Sequence, residues 1–438
     1  MSINELIKMN NTKCDCGKVH RFSVNKIVSG SGVIKELPQI IKEYGAKRVF
    51  VLSDKNTYKA AGKAVCDILS ENEIAFSSYS INEDTPEPDE RTVGSVIMHY
   101  DYSCDLIVAV GSGVINDTGK ILAATADKPY IIVGTAPSMD GYASATSSMT
   151  RDGLKISLSS KCADVIIGDT DILKNAPMKM LQSGLGDMIA KYVSICEWRI
   201  SNIITGEYYC EEIAKLVRLA LKRCTDNAEG LMQRDEAAVA AVFDGLVICG
   251  AAMAYAGVSR PASGVEHYLS HIWDMRGVEF GTKVDLHGIQ CAIGTLMSLK
   301  LYEKIKVLTP DKENATKYAE SFSYEDWKET LKKFFGKAAD AMIEIEKKEQ
   351  KYSVEKHAAR FEIISNNWDK ILKIIDEELP SSEEIEKLLD SIDAPKAPGQ
   401  IGIDEKDNLT AFKATKDIRD KYVLSRHAWD LGVIEELM

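Results

Sequence analysis

The chain has 438 residues, 45% of them apolar and 27% charged, the make-up of a globular protein with a sizeable core. Its 54 Lys and Arg against 66 Asp and Glu give a net charge of −12 with the basic residues scattered, which argues against nucleic acid or an anionic membrane as partner. At about 150 residues per domain, this length predicts two or three domains. The sequence changes character once, so two are expected, over 1–176 and 177–438.

The first residues, MSINELIKMNNTKCDC, lack the apolar run of a secretory signal, and ten scattered cysteines fit reduced thiols in a cytoplasm. Cys14, Cys16 and His20 in CDCGKVH look like a small metal clip. Their spacing is tighter than the usual zinc pair and a fourth ligand is not evident, so a turn closing onto the body of the protein is the alternative. From Lys47, short β-rich apolar runs alternate with helical patterns: RVFVLSD, a helix over Asn56–Asn72, IAFSSYSI, a helix from about Arg91, CDLIVAVGSG, VINDTGKILAATA and PYIIVGTAP. That alternation predicts parallel βαβ units whose ligands bind beyond the carboxyl ends of the strands. Residues 142–169 read as a hairpin turning at Asp152 and Gly153. Beyond about Pro177 strand signals fade and helical patterns take over, so an α/β domain is followed by an all-helical one with a cleft between them. Ala237–Val258 has nearly the length of a membrane span, but Asp244 and its Ala/Gly-rich make-up predict a buried helix.

Three of the seven histidines fall close together, at His267, His271 and His287. His267 and His271 are four apart and share a helix face, and the chain to His287 is long enough to cross a Gly-containing loop and return on a second helix. Neutral imidazole is a common ligand for a catalytic metal, and on spacing alone His271 is as good a ligand as His267. In VAVGSGVINDTGK, Gly111 and Gly113 fit a strand-to-helix turn around a pyrophosphate, but Asn116 stands where the dinucleotide fingerprint has its third glycine. Asp54, at the end of RVFVLSD, is a candidate for the ribose hydroxyls and leans the choice towards NAD over NADP. Asp140 follows a buried strand within a loop of small residues, and Asp187 in SGLGDMIAKY reads as a helix N-cap unless a metal claims it.

Together GSGVINDTGK, GTAPSMDGYAS, SGLGDMIAKY, SRPASGVEHYLSH and IRDKYVLSRHAWDLG resemble the sn-glycerol-1-phosphate dehydrogenase family, within the iron-containing alcohol dehydrogenase, glycerol dehydrogenase and dehydroquinate synthase superfamily. The resemblance runs from about Asn25 to the C-terminus and is least clear over Tyr324–Ser391. It implies an N-terminal α/β Rossmann-like domain plus an all-α C-terminal domain, the dehydroquinate synthase-like or iron-containing alcohol dehydrogenase fold. It also implies one divalent metal ion, zinc or else nickel or iron, held by Asp187, His267 and His287, with His271 lining the nicotinamide and substrate side. NAD(H) or NADP(H) would lie against Gly111, Ser112, Gly113, Asp117 and Lys120, with Thr135 and Ser138 at its nicotinamide half. Asp140 would approach the substrate and Lys155 the reacting centre, and Arg260 and Lys155 are the cations expected to meet the phosphate of a small phosphorylated triose. The implied activity is reversible reduction of dihydroxyacetone phosphate to sn-glycerol 1-phosphate by a homodimer or larger homo-oligomer. A glycerol or other polyol dehydrogenase, a dehydroquinate synthase-like lyase and an inactive binding or scaffold protein are the alternatives.

Overall fold

A computed structural model describes residues 9–151 and 154–438, with the side chains of Leu154 and Lys155 outside the described set. Six strands form one parallel sheet: β1 (Lys26–Gly30), β2 (Arg48–Asp54), β3 (Ala75–Ile81), β4 (Leu106–Gly111), β5 (Tyr130–Gly134) and β8 (Val165–Asp169), in the order β1-β8-β5-β4-β2-β3. Strands β6 (Thr146–Arg151) and β7 (Leu154–Ser159) pair antiparallel as a separate hairpin. The expected hairpin is therefore shorter than 142–169, because Val165–Asp169 leaves it to pair in parallel with both β1 and β5. The expected Asp152–Gly153 turn lies outside the described residues.

Strands β4, β5 and β8 bury every residue, as apolar runs covered on both faces must. Val49, Val108, Ile131 and Ile167 from four adjacent strands pack with Leu37, Ile40 and Ile41 of α1 (Leu37–Glu43) and with Val65 and Leu69 of α2 (Lys63–Glu71). Each such side chain contributes about 1.5–3 kcal/mol relative to exposure. Helices α3 (Glu90–His99) and α4 (Gly113–Ala126) follow β3 and β4. The helical part continues with α5 (Met178–Ile189), α6 (Lys191–Thr205), α7 (Glu211–Asp226), α8 (Glu236–Ala256), α9 (Val265–Phe280) and α10 (His287–Ile305), then with shorter helices from Lys312 to Leu437. The C-terminal stretch, whose sequence pattern reads as one helix from Asn408 to about Leu431, is broken into Asn408–Ile418 and Leu424–Asp430.

The chain forms two compact units that are not one cut at 176: Met1–Met188 with Lys215–Ser259, and Ile189–Ala214 with Arg260–Met438. Helix α8 belongs to the sheet's unit because Phe243 lies against the glycines of the strands; a Cβ at Gly168 would stand 2.1 Å from its ring and one at Gly134 would stand 3.0 Å away. Helix α8 is also long and apolar enough to cross a membrane, but 78% of its most apolar stretch is buried inside the protein. Asp244 is buried within it and accepts a hydrogen bond from Arg223 Nη1 at 3.0 Å.

Candidate active site

In the first unit the chain leaves β2 towards β3 at one edge of the sheet and leaves β4 towards β5 on the other side. Strands β2 and β4 are neighbours, with Leu52 opposite Ala109, so they make the switch point where α/β sheets bind ligands. Two residues beyond that pair stand Asp54 and Gly111. Gly111 pairs in turn with Gly134 of β5, which puts Thr135 at the same edge. The Thr135 amide donates to the Gly111 carbonyl at 3.1 Å, and Ser112 Oγ lies 2.6 Å from Ser138 Oγ. Ser112 opens α4 without a side-chain cap, leaving the helix start to its backbone N–H groups, a natural anion site. A Cβ on Gly111 would stand 2.4 Å from the Ile115 side chain, so only glycine allows the helix to start so close to the strand. Asp54, Gly111, Ser112, Gly113, Thr135 and Ser138 thus gather at one edge.

The other residues expected near the cofactor have inward jobs. Lys120 is fully buried and its ammonium donates to Gly141 O at 2.6 Å, Thr146 O at 3.1 Å and Asp117 Oδ1 at 3.2 Å. Three acceptors engage its three hydrogens, so Lys120 ties α4 to the loop after β5 instead of reaching a pyrophosphate, a correction to the expectation. Asp117 shares this tie and accepts from the Ser148 amide at 3.2 Å. Asn116, in place of the third fingerprint glycine, is buried; its Nδ2 donates to Gly141 O at 3.0 Å and its Oδ1 accepts from Tyr130 OH at 3.0 Å. Asp54 Oδ1 accepts from the amides of Asn56 and Thr57 at 2.7 and 2.8 Å, which fixes its carboxylate at the strand end.

Asp140 sits in a loop clamped by α5 and α8. A Cβ at Gly184 of α5 would come within 1.8 Å of the Pro137 carbonyl oxygen, and one at Gly250 of α8 within 2.8 Å of the Asp140 carbonyl oxygen. Asp187 lies in the last turn of α5 and not at a helix start, so the N-cap reading fails. It is fully buried, and its Oδ2 accepts from the Asp140 amide at 2.9 Å.

In the second unit the histidines meet as their spacing predicts. Helix α9 ends at Gly281 with φ 66°, and after a short loop His287 begins α10. The rings of His267 and His287 are 5.0 Å apart between centroids, and those of His271 and His287 are 6.0 Å apart. His267 Nδ1 is 2.8 Å from Glu266 Oε1, and His287 Nδ1 is 3.0 Å from Ser270 Oγ. Both imidazoles are thus held at Nδ1 by an oxygen of a neighbouring side chain, the kind of contact that orients a histidine ring. Cys291, a residue the sequence reading passed over, lies with its Sγ 3.6 Å from His287 Nε2. Its signal was the four-residue step from His287, which places both on one face of α10. Burial pushes the Cys291 thiol up, but the neighbouring His267 and His287 outweigh it and hold the thiol below its ordinary value.

Behind His267 lies a buried acidic pair. Glu266 Oε1 also accepts from the Gly264 amide at 2.7 Å, and Glu197 accepts from the amides of Val265 and Leu424 at 3.0 and 2.8 Å. Burial and the charge of Glu266 raise the Glu197 carboxyl above the usual range, with Arg260 opposing. Arg260 is itself fully buried: Nε donates to both carboxylate oxygens of Glu207 at 2.9 and 2.8 Å, and Nη2 to Tyr422 O at 2.6 Å. This bidentate pairing gives Arg260 a structural job, and the expectation that it meets a substrate phosphate is corrected on that ground. The side chain of Lys155 lies outside the described residues.

Residues 28–177 match the family model described as iron-containing alcohol dehydrogenase. Among curated proteins, glycerol-1-phosphate dehydrogenase [NAD(P)+] of Halalkalibacterium halodurans is 28% identical over 95% of this chain and 96% of its own length. The Bacillus licheniformis protein of the same name is 32% identical over 67% of this chain and 74% of its own. Among solved structures, a probable glycerol dehydrogenase from Sinorhizobium meliloti 1021 shares the fold, with a TM-score of 0.59 at 17% identity over 95% of this chain and 98% of that one. With its glycine turn at the sheet's switch point and its paired histidines on α9 and α10, the chain belongs to the sn-glycerol-1-phosphate dehydrogenase family of the iron-containing alcohol dehydrogenase superfamily.

Proposed function

We propose that the chain catalyses the reversible, NAD(P)H-linked reduction of dihydroxyacetone phosphate to sn-glycerol 1-phosphate, with Asp187, His267 and His287 holding one divalent ion. The observation that carries this reading is the pair of imidazoles on α9 and α10, 5.0 Å apart between centroids and each held at Nδ1, by Glu266 and by Ser270. Two neutral imidazoles and one carboxylate leave a divalent ion with net positive charge and an open position, the pattern of a catalytic site. When bound, the ion supplies a Lewis acid for the substrate oxygen and the nicotinamide supplies the reducing equivalent. Zinc suits the nitrogen and oxygen donors, and nickel and iron are accepted by the same set.

The protein's own part is to position and to desolvate. Glu266 and Ser270 orient the two imidazoles, and the Asp140 amide fixes one oxygen of Asp187. Gly111, Ser112 and Gly113 receive the pyrophosphate on the amides that open α4, and Thr135 and Ser138 take the nicotinamide half. Asp54 receives the ribose hydroxyls, which favours NAD(H), since a 2′-phosphate there meets a carboxylate. Asp140 and His271 line the substrate, and Lys155 takes over from Arg260 as the cation proposed for its phosphate. The chain acts as a homodimer or larger oligomer in the cytoplasm; the absence of disulfides among its ten cysteines fits a reducing compartment.

The test is an NADH and NADPH oxidation assay on purified, metal-analysed protein with dihydroxyacetone phosphate and dihydroxyacetone side by side. Turnover is expected with the phosphate ester and a divalent ion present. A preference for the unphosphorylated ketone would assign a polyol dehydrogenase instead.

A further inference from the structure

The N-terminal arm carries a group of metal donors that the reaction above does not use. Lys13 and Val19 pair as an isolated antiparallel bridge, the Cys14 amide donates to Lys18 O at 3.0 Å, and the Gly17 amide donates to Cys14 O at 2.9 Å. Gly17 takes φ 86°, which lets the chain reverse in so few residues. This knuckle brings the two thiols and the His20 imidazole together, with their donor atoms within 4.8 Å of one another. Cys16 Sγ is 3.5 Å from His20 Nε2. Zinc bonds of about 2.3 Å to sulfur and 2.05 Å to nitrogen at a tetrahedral angle place those atoms about 3.5 Å apart, so the observed edge already has the length that one shared ion requires.

The imidazole is prepared for that role. His20 is fully buried, and its Nδ1 lies 3.0 Å from the Tyr255 carbonyl oxygen on α8. A carbonyl can only accept, so Nδ1 carries the proton and Nε2, facing Cys16, is the lone-pair nitrogen. Metal-bound histidines are oriented by this kind of second hydrogen bond. The arm is anchored on either side of the knuckle: Asn10 Nδ2 donates to Phe22 O at 2.7 Å, and the Phe22 amide donates back to Asn10 Oδ1 at 2.8 Å. The Phe22 and His20 rings both lie against Tyr255, at 5.6 and 5.7 Å between centroids.

We propose that Cys14, Cys16 and His20 bind a zinc ion that staples the N-terminal arm to the C-terminal end of α8. This is a structural ion, separate in residues and in role from the one proposed at His267 and His287. Two thiolates and a neutral imidazole compensate the charge of Zn²⁺ and select a soft or borderline divalent ion over Mg²⁺ or Ca²⁺.

The experiment compares the purified full-length protein with a C14S/C16S double variant and with Cys291→Ser, by zinc content and, after cobalt substitution, by thiolate-to-metal charge-transfer absorption. The parent is expected to hold one more zinc per chain than C14S/C16S, whatever the histidine site contains. The absorption is expected to persist in Cys291→Ser and to vanish in C14S/C16S, and the C14S/C16S protein should unfold at a lower temperature. If C14S/C16S does not fold, Cys14→His, which keeps a ligand at that position, serves instead: it should retain the zinc and lose part of the absorption. Equal zinc in parent and C14S/C16S, or a cobalt-loaded Cys291→Ser protein without thiolate absorption, would overturn the proposal. In the latter case Cys16 and His20 would share only a thiol–imidazole hydrogen bond.

Discussion

At the end of β4 the chain works by what Gly111 lacks: the 2.4 Å between a Cβ there and Ile115 leaves room only for backbone, and the ligand is offered amide groups. At the starts of α9 and α10 it works by what the residues carry, since His267 and His287 are useful only with an imidazole whose Nδ1 is engaged by Glu266 or Ser270. The first region is specified by shape and tolerates varied neighbours, as Asn116 in place of a glycine shows. The second is specified atom by atom. Substitutions should therefore act differently in the two: through folding and nucleotide affinity in the first, through metal affinity and rate in the second.

The largest expected effect is at His287. Replacing it with Ala should remove the bound metal and cut turnover by about a thousandfold or more, because the ion supplies several kcal/mol of transition-state stabilisation. Metal analysis and steady-state kinetics on the same preparation would show it, and circular dichroism should remain that of a folded protein. Gly111→Ala probes the shape-specified region: its Cβ would meet the Ile115 side chain at 2.4 Å, and the forced shift should cost about 1–3 kcal/mol in thermal or urea unfolding. If that variant instead lost metal before it lost stability, the division of labour drawn above would fail.

How far the two regions were legible follows from the same contrast. The histidines were found because side-chain identity at a fixed helical step is written directly into the sequence. Gly111 and Gly113 were visible too, but a turn is defined by contacts with Ile115 and Gly134 that spacing does not display. Strand β1 went unseen because it is five residues long and its partner β8 is more than a hundred residues away in the chain, and β8 was assigned to the preceding hairpin because spacing does not display its parallel pairing with β1 and β5. The boundary at 176 missed the return of α8 to the sheet, since an Ala-rich buried helix does not announce that Phe243 packs on Gly168. Arg260 was misjudged for a related reason: an arginine upstream of a histidine motif looks available until Glu207, 53 positions earlier, is seen to hold it.

Smaller effects sharpen the comparison. Glu266→Gln should weaken metal binding by about ten- to a hundredfold through loss of the charged partner of His267 Nδ1 while leaving nucleotide affinity unchanged, as a metal titration monitored alongside NADH binding would show. At the lower end, Asp54→Ala should cost about 1 kcal/mol of stability by uncapping the helix that starts at Lys55. Asp54→Asn keeps an acceptor for that cap, so any shift in the NADPH to NADH preference it causes isolates the role proposed for the charge.

The central claim is that the Nε2 atoms of His267 and His287 bind one catalytic ion. Anomalous diffraction from crystals grown with zinc tests it most directly. The expected result is an ion about 2.0–2.1 Å from both Nε2 atoms, with a carboxylate oxygen of Asp187 as its third protein ligand. An ion bound through Nδ1 of either ring, or bound away from the two histidines, would contradict it.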